Sequence, residues 1–194
     1  MGVVSEYVSN LVDGLTQQNH KVDLVVEDDH ETRQEKRRNL TVHRVLNPIK
    51  THYGASILSS ALTGSVRIEQ EASDIIYHYK HRKKRIDLVH AHEWLSIQPA
   101  LSLKYAFGLP FVFTLYSVEG HRCHDDFGLL SIAISDIERI GIIESAKTIV
   151  QNEWMKKEVL RYYGEENQDK IEIIQPDQLL VVRMTDIYKS IVSS

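Results

Sequence analysis

Short apolar segments alternate with amphipathic helical segments along most of this 194-residue chain. A helix is predicted over 3–15, where apolar residues recur at spacings of three and four, and a strand rich in β-branched residues follows over 22–26. Parallel strands need crossover connections, which helices commonly supply. The repeated alternation therefore predicts a doubly wound, Rossmann-like α/β fold with a mostly parallel sheet and helices on both faces.

The same periodicities predict the later elements and their boundaries. The predicted strands are 41–46, 87–91, 111–115, 147–150 and 171–174, and the predicted helices are 57–79, 95–107, 132–144 and 153–163. Gly108 is expected to end one helix, and Asn152 is expected to cap the start of another. The polar segment 27–38 is expected to be an exposed loop.

Length and composition favour one folded domain over residues 1–194. A formal charge of -4 gives no general attraction for nucleic acid. Cys123 has no second cysteine to pair with, and the chain opens without a basic segment followed by an apolar signal core, so a cytoplasmic setting is expected. Apolar runs are too short to span a bilayer, so no membrane span is expected.

Ligands of such sheets bind beyond the carboxyl ends of the strands. Three segments therefore carry the candidate site residues: Gly2 before the first helix, His90–Trp94 and Tyr116–His124. Gly2 could present backbone amides at a helix start to a phosphate or carboxylate, or have no role. Within the last segment, Glu119 and Arg122 could form charge-assisted hydrogen bonds, or the segment could be a plain surface loop.

Two histidines two residues apart, His90 and His92, should project from the same face of their strand. With His121, Cys123 and His124 they could ligate zinc, but their spacing matches no common zinc pattern, so no metal site is predicted. The alternative is that one histidine forms hydrogen bonds within the core.

Four stretches, in this order, resemble the N-terminal, acceptor-side domain of glycogen-synthase-like retaining glycosyltransferases, the family-4 type with the GT-B fold. They are Gly2–Val8 with Asn19–Val22, then Asp87–Trp94, Gly108–Arg122 and Val150–Ile174. The resemblance extends to about Pro176. It implies kinship with enzymes that transfer a hexose from a nucleotide-sugar to a sugar or glucan acceptor.

The resemblance also implies roles for particular residues. Gly2 would lie on the phosphate side, and His92, Glu119, His121 and Arg122 would contact the sugar substrate. Glu119 and Arg122 would bind its hydroxyl groups.

The sequence departs from the family pattern in three places. Tyr116 stands where the family has a histidine that contacts the reacting sugar, so no catalytic residue is assigned. A first strand with a two-glycine loop does not precede the first helix, and Gln175–Asp177 is not followed by the family's nucleotide-binding domain. We therefore expect no covalently bound cofactor. A nucleotide-sugar donor is expected to bind only if a second domain is supplied, and the isolated chain is expected to be inactive. The alternative is a noncatalytic module that binds a glycan or a partner protein.

The C-terminal segment 178–194 is similar to the family helix that packs back on the first domain, and its apolar spacing predicts a helix. Alternatively, 179–182 forms a strand that fills the place of the absent first strand. Absence of that strand and of the second domain would expose apolar surface, so a homo-oligomer or a complementing nucleotide-binding half is an expected partner.

Overall fold

The computed structural model describes residues 3–49 and 57–193. The chain divides into two compact units, Met1–Arg85 and Ile86–Ser194.

Within residues 3–49 and 57–85, the first unit contains two helices and a three-stranded sheet. Its elements are α1 (Val3–Gln17), β1 (Val22–Asp28), β2 (Arg33–Lys36), β3 (Leu40–Leu46) and α2 (Ile57–His81). The strand order is β1-β3-β2, with β1 parallel and β2 antiparallel to β3. Leu11, Val12 and Leu15 of α1 are buried, as their helical spacing predicts.

Strand β2 lies inside the segment 27–38, so the prediction of a loop throughout that segment is wrong. The strand is polar and mostly exposed, and it is held by cross-strand pairs rather than by apolar burial. The Arg44 guanidinium donates to Glu35 at 2.9 Å, and the Gln34 amide lies 3.0 Å from the His43 ring. Charged residues carry little strand propensity, so the sequence gives no local signal for this element.

The second unit contains a four-stranded, wholly parallel sheet in the order β4-β5-β6-β7. Five helices lie in the same unit, together with 3₁₀ turns at Trp94–Ser96 and Glu165–Lys170. The elements are β4 (Val89–His92), α3 (Ile97–Phe107), β5 (Phe111–Thr114), α4 (Glu119–Arg122), α5 (Leu129–Glu144), β6 (Lys147–Val150), α6 (Glu153–Tyr163), β7 (Ile171–Ile173) and α7 (Leu180–Val192).

The core of this unit lies between the sheet and its helices. Phe111 and Phe113 of β5 are buried against Ile97 of α3 and Ile142 of α5. Helix α3 ends at Gly108, which adopts the left-handed conformation (φ 70°) that glycine tolerates best. The Asn152 side chain accepts a hydrogen bond from the Met155 amide at 2.8 Å and caps α6. The end of α3 and the start of α6 are therefore as predicted.

The α/β fold class is confirmed. Helices connect the successive parallel strands of the second unit, whereas the parallel strands β1 and β3 of the first unit are connected through β2. Residues 179–182 do not form the alternative strand, because Leu180–Val192 is helical. The assignment of 1–194 to a single domain stays a prediction. No helix in the described parts of the chain is both long and apolar enough to cross a membrane.

Candidate functional site

Two histidine rings lie together at the carboxyl end of β4. The ring centroids of His90 and His92 are 4.1 Å apart, so both side chains project from one face of the strand, as their spacing predicts. The His90 nitrogens lie 2.7 Å from the Thr114 hydroxyl and 2.6 Å from the Tyr188 hydroxyl. His92 Nδ1 lies 2.9 Å from the Tyr116 hydroxyl. We call these residues the histidine–tyrosine cluster.

Both imidazoles of this cluster are held in the neutral form. Burial, with a smaller contribution from the neighbouring His92, keeps the pKa of His90 well below its usual value. Burial also lowers the pKa of His92 to about 4. A neutral imidazole has one donor and one acceptor nitrogen. The cluster therefore presents hydrogen-bonding groups without a net positive charge.

Glu93, the residue that follows β4, has φ 63° and ψ 165°, a conformation that residues other than glycine rarely adopt. Its carboxylate accepts a hydrogen bond from the Tyr116 amide at 2.7 Å. Burial raises the pKa of Glu93, and the Tyr116 amide and the Arg122 charge oppose the rise. The strained residue thus fixes the start of the segment that follows β5.

Arg122 lies among three carboxylates. Its Nε donates to Glu119 at 2.8 Å, its Nη2 pairs with Glu138, and its Nη1 lies 3.6 Å from Glu93. Nη1 also donates to the Ser117 hydroxyl at 2.6 Å. Burial alone would lower the pKa of Arg122, but the carboxylates, chiefly Glu138, outweigh it and raise the pKa. This guanidinium therefore holds the segment after β5 together.

Glu138 of α5 is the innermost member of this network, with no solvent exposure. It accepts a hydrogen bond from the Glu119 amide at 3.0 Å and another from the Tyr163 hydroxyl. Burial and the Glu138 charge raise the pKa of Tyr163, which therefore stays a donor. These donors satisfy the hydrogen-bonding capacity of a carboxylate that burial has removed from water.

Three of the four described site residues predicted from sequence fall into two groups. His92 joins the histidine–tyrosine cluster, and Glu119 and Arg122 join the carboxylate network around Glu138. His121 lies apart from both, with its Nε2 2.6 Å from the Glu158 carboxylate. Gly2 lies outside the described residues, so its predicted phosphate-side role stays a prediction, as do the substrate contacts of the other four.

Sequence reasoning missed Glu138 and Tyr188 as site residues, and it gave no role to Glu93 within the candidate segment His90–Trp94. Glu138 had a detectable signal, because it lies four residues from both Ile134 and Ile142 on the buried face of α5. An acidic residue in an apolar stripe indicates an internal charge partner. Tyr188 lies 98 residues from His90 in the chain, and Glu93 acts through an unusual backbone conformation, so neither left a local pattern.

Across the described ranges, 3–49 and 57–193, no group of three or more histidine, cysteine, aspartate or glutamate side chains is placed to hold a metal ion.

Comparisons with known proteins identify the family. Residues 4–176 match Glycosyltransferase Family 4. An uncharacterized glycosyltransferase of Methanocaldococcus jannaschii is 23% identical over 174 residues, which are 90% of this chain and 42% of that protein. A glycogen synthase of Mycobacterium tuberculosis is 33% identical over 85 residues, which are 43% of this chain and 20% of that protein.

Two solved structures of sucrose-phosphate synthase from Thermosynechococcus elongatus share the fold. The match to one of them has a TM-score of 0.68 at 16% identity and covers 95% of this chain and 93% of the synthase chain. The match to the other has a TM-score of 0.71 at 15% identity and covers 90% of this chain and 42% of the synthase chain.

The fold and these relatives define a glycosyltransferase-like α/β chain. It belongs to Glycosyltransferase Family 4. The chain spans less than half the length of the curated relatives it matches.

Proposed function

We propose that this chain is the acceptor-side part of a glycosyltransferase that transfers a hexose from a nucleotide-sugar to a sugar or glucan acceptor. Family membership over residues 4–176 supports the reaction class. The observation that carries the site is the histidine–tyrosine cluster at the carboxyl ends of β4 and β5, where parallel sheets bind their ligands.

In this proposal, His92 and Tyr116 bind acceptor hydroxyls. A neutral imidazole and a phenol each offer a donor and an acceptor, which suits an uncharged polyhydroxylated ligand. Glu119, Arg122 and His121 complete the acceptor side, with Arg122 acting chiefly by holding the segment after β5. Gly2 contributes on the phosphate side.

The donor diphosphate needs positive charge as it departs, and such electrostatic stabilisation carries much of the barrier reduction in transferases. Arg122 is already paired with Glu119 and Glu138, so it is poorly placed to neutralise a further anion. The proposal therefore assigns donor binding to a complementing nucleotide-binding half. It also places the chain in the cytoplasm and allows for a homo-oligomer.

Transfer assays test the reaction. Purified chain is incubated with radiolabelled UDP-glucose or ADP-glucose and maltoheptaose, alone and with a separately expressed nucleotide-binding half of a family member. We expect no labelled glucan from the chain alone and measurable transfer from the mixture. Transfer of labelled glucose by the isolated chain would refute the prediction that this chain is inactive alone. Glycan binding without transfer under any combination would favour the noncatalytic module.

Acceptor binding tests the site. Isothermal titration calorimetry with glucose should show weaker binding by His92→Ala than by the wild type, because a hydroxyl partner is lost. Glu172→Gln is the control, since Glu172 is half exposed on β7 and pairs with Lys147. Equal affinities for the wild type and His92→Ala would contradict the assigned role.

A further inference from the structure

Four aromatic side chains of the second unit form a row apart from the histidine–tyrosine cluster. The ring centroids of Trp154 and His121 are 4.8 Å apart, those of His121 and Tyr162 are 5.7 Å apart, and those of Tyr162 and Phe127 are 6.4 Å apart. Trp154 and Tyr162 belong to α6, His121 belongs to α4, and Phe127 precedes α5. We call these four residues the aromatic row.

The row is open to solvent at both ends. Trp154 is 57% exposed and Phe127 is 38% exposed. Aromatic side chains that serve the core bury most of their area, and an exposed cluster of them commonly marks a binding surface. Core packing therefore does not account for the position of Trp154.

Neighbouring groups fix the inner rings. His121 Nε2 lies 2.6 Å from the Glu158 carboxylate, and the Tyr162 hydroxyl donates to Asp125. Gly120 lies so close to Tyr162 that a Cβ at that position would be 2.3 Å from atoms of the ring. Rings held in this way lose little conformational entropy when a ligand covers them.

The charges around the row are nearly balanced. Arg161 lies 5.0 Å from the centroid of the Tyr162 ring and 3.3 Å from the Glu158 carboxylate, while Asp125 adds one further negative charge. This arrangement offers no attraction to a phosphate or another anion. It does offer carboxylate and guanidinium groups beside flat apolar rings.

A pyranose matches both features, because its C–H face is apolar and its rim carries hydroxyl groups. We propose that the aromatic row binds a neutral oligosaccharide, with one sugar ring stacked on the exposed Trp154 indole and the following sugars in contact with His121 and Tyr162, whose ring planes lie at 81° to each other. The inference rests on the proposed function: the row would hold the part of a glucan acceptor that extends beyond the histidine–tyrosine cluster. Helix α4 connects the row to the carboxylate network, since His121 belongs to the row and Arg122 belongs to the network. Glu93, 3.6 Å from Arg122, accepts a hydrogen bond from the amide of Tyr116 in the histidine–tyrosine cluster.

Calorimetric titrations with sugars of two lengths test the proposal. The full chain is titrated with glucose and with three oligosaccharides, namely maltoheptaose, cellohexaose and mannohexaose, and the tightest-binding oligosaccharide is used with the variants. Trp154→Ala should weaken its binding about tenfold and leave glucose binding unchanged, because the stacking surface is lost. Trp154→Phe, which keeps a flat ring, should recover most of the affinity.

His92→Ala separates this proposal from the proposed function. The proposed function predicts weaker binding of both sugars by His92→Ala. If His92→Ala weakens binding while Trp154→Ala binds the oligosaccharide as the wild type does, the proposed function stands and the aromatic row is overturned. If only Trp154→Ala weakens oligosaccharide binding, the row stands and the histidine–tyrosine cluster loses its role. If no oligosaccharide binds the wild type at millimolar concentration, the aromatic row is overturned.

A second copy of the chain is the competing occupant. Leu129 follows Phe127 closely in sequence and is 90% exposed, so the surface includes aliphatic area. Sedimentation velocity of the wild type and Trp154→Ala decides between the two. An equal sedimentation coefficient for both, with weaker oligosaccharide binding by the variant, supports the glycan. A wild-type dimer that dissociates in Trp154→Ala overturns it.

Discussion

Glu138 shows how a single buried charge organises the region after β5. Its carboxylate receives donors from the Glu119 backbone, the Arg122 guanidinium and the Tyr163 hydroxyl, all inside the second unit. Removing one member of a buried charged network leaves the remaining members with fewer charge and hydrogen-bond partners. The resulting loss of folding stability is larger than the stability that an intact buried ion pair contributes.

Glu138→Gln should therefore destabilise the protein substantially. One carboxylate oxygen becomes an NH2 group that faces the Arg122 or Tyr163 donor, so a hydrogen bond is lost, and the Arg122 charge keeps only Glu119 and Glu93 as carboxylate partners. We expect the free energy of unfolding to fall by about 2 kcal/mol or more, measured by urea denaturation. Glu172→Gln breaks a pair on β7 that is more exposed and should cost less than about 1 kcal/mol. Equal losses in both variants would contradict this account.

His43 of β3 is a buried ionisable residue of the first unit. Its nitrogens lie 3.0 Å from Asp23 and 2.7 Å from Glu71, and Gln34 contacts the same ring. Burial would lower the pKa of His43, but the two carboxylates outweigh it and raise the pKa. Burial would raise the pKa of Asp23, but hydrogen bonds from His43 and Tyr79 lower it.

These shifts predict a pH-dependent stability. Because the folded pKa of His43 lies above its ordinary value of 6.5, its stabilisation is complete below about pH 6.5 and is lost as the pH rises through the folded pKa. Urea unfolding of the wild type and His43→Gln, followed by far-ultraviolet circular dichroism, should show a larger wild-type advantage at pH 5.5 than at pH 9. An advantage that is equal at both pH values, or larger at pH 9, would contradict the pairing.

At the scale of elements, α6 depends on its first residues. Asn152 supplies a side-chain acceptor to the Met155 amide, one of the donors that a helix start leaves without a backbone partner. Asn152→Ala should lower the free energy of unfolding by about 1 kcal/mol, whereas Asn152→Asp should keep most of it. Urea denaturation checks both, and a loss in Asn152→Asp as large as that in Asn152→Ala would argue against capping.

Elements with a strong local signal are those that the sequence predicts well. Helix α1 and strand β5 have a clear apolar period or run, and Gly108 and Asn152 mark helix ends by their own chemistry. Strand β2 is missed because its stability comes from Arg44 and His43 on the neighbouring strand. The site follows the same division: the shared face of His90 and His92 is readable from spacing, while the contact of His90 with Tyr188 depends on tertiary structure.

At the scale of the whole molecule, the second unit contains a complete parallel sheet and all the helices that form its core. Helix α7 contributes through the Tyr188 hydroxyl, which bonds His90 of the first strand of this unit. A polypeptide of residues 86–194 should therefore fold without the preceding residues. Circular dichroism should show helical signal and a single cooperative thermal transition. A broad, noncooperative transition would count against an independent core.

Both tryptophans of the chain, Trp94 and Trp154, belong to the unit Ile86–Ser194. Tryptophan fluorescence therefore reports on that unit alone, whereas the circular dichroism of the peptide bonds reports on both units. If the two optical signals are recorded during one titration with denaturant, midpoints that differ would give the order in which the halves of the chain lose structure, without any label or truncation.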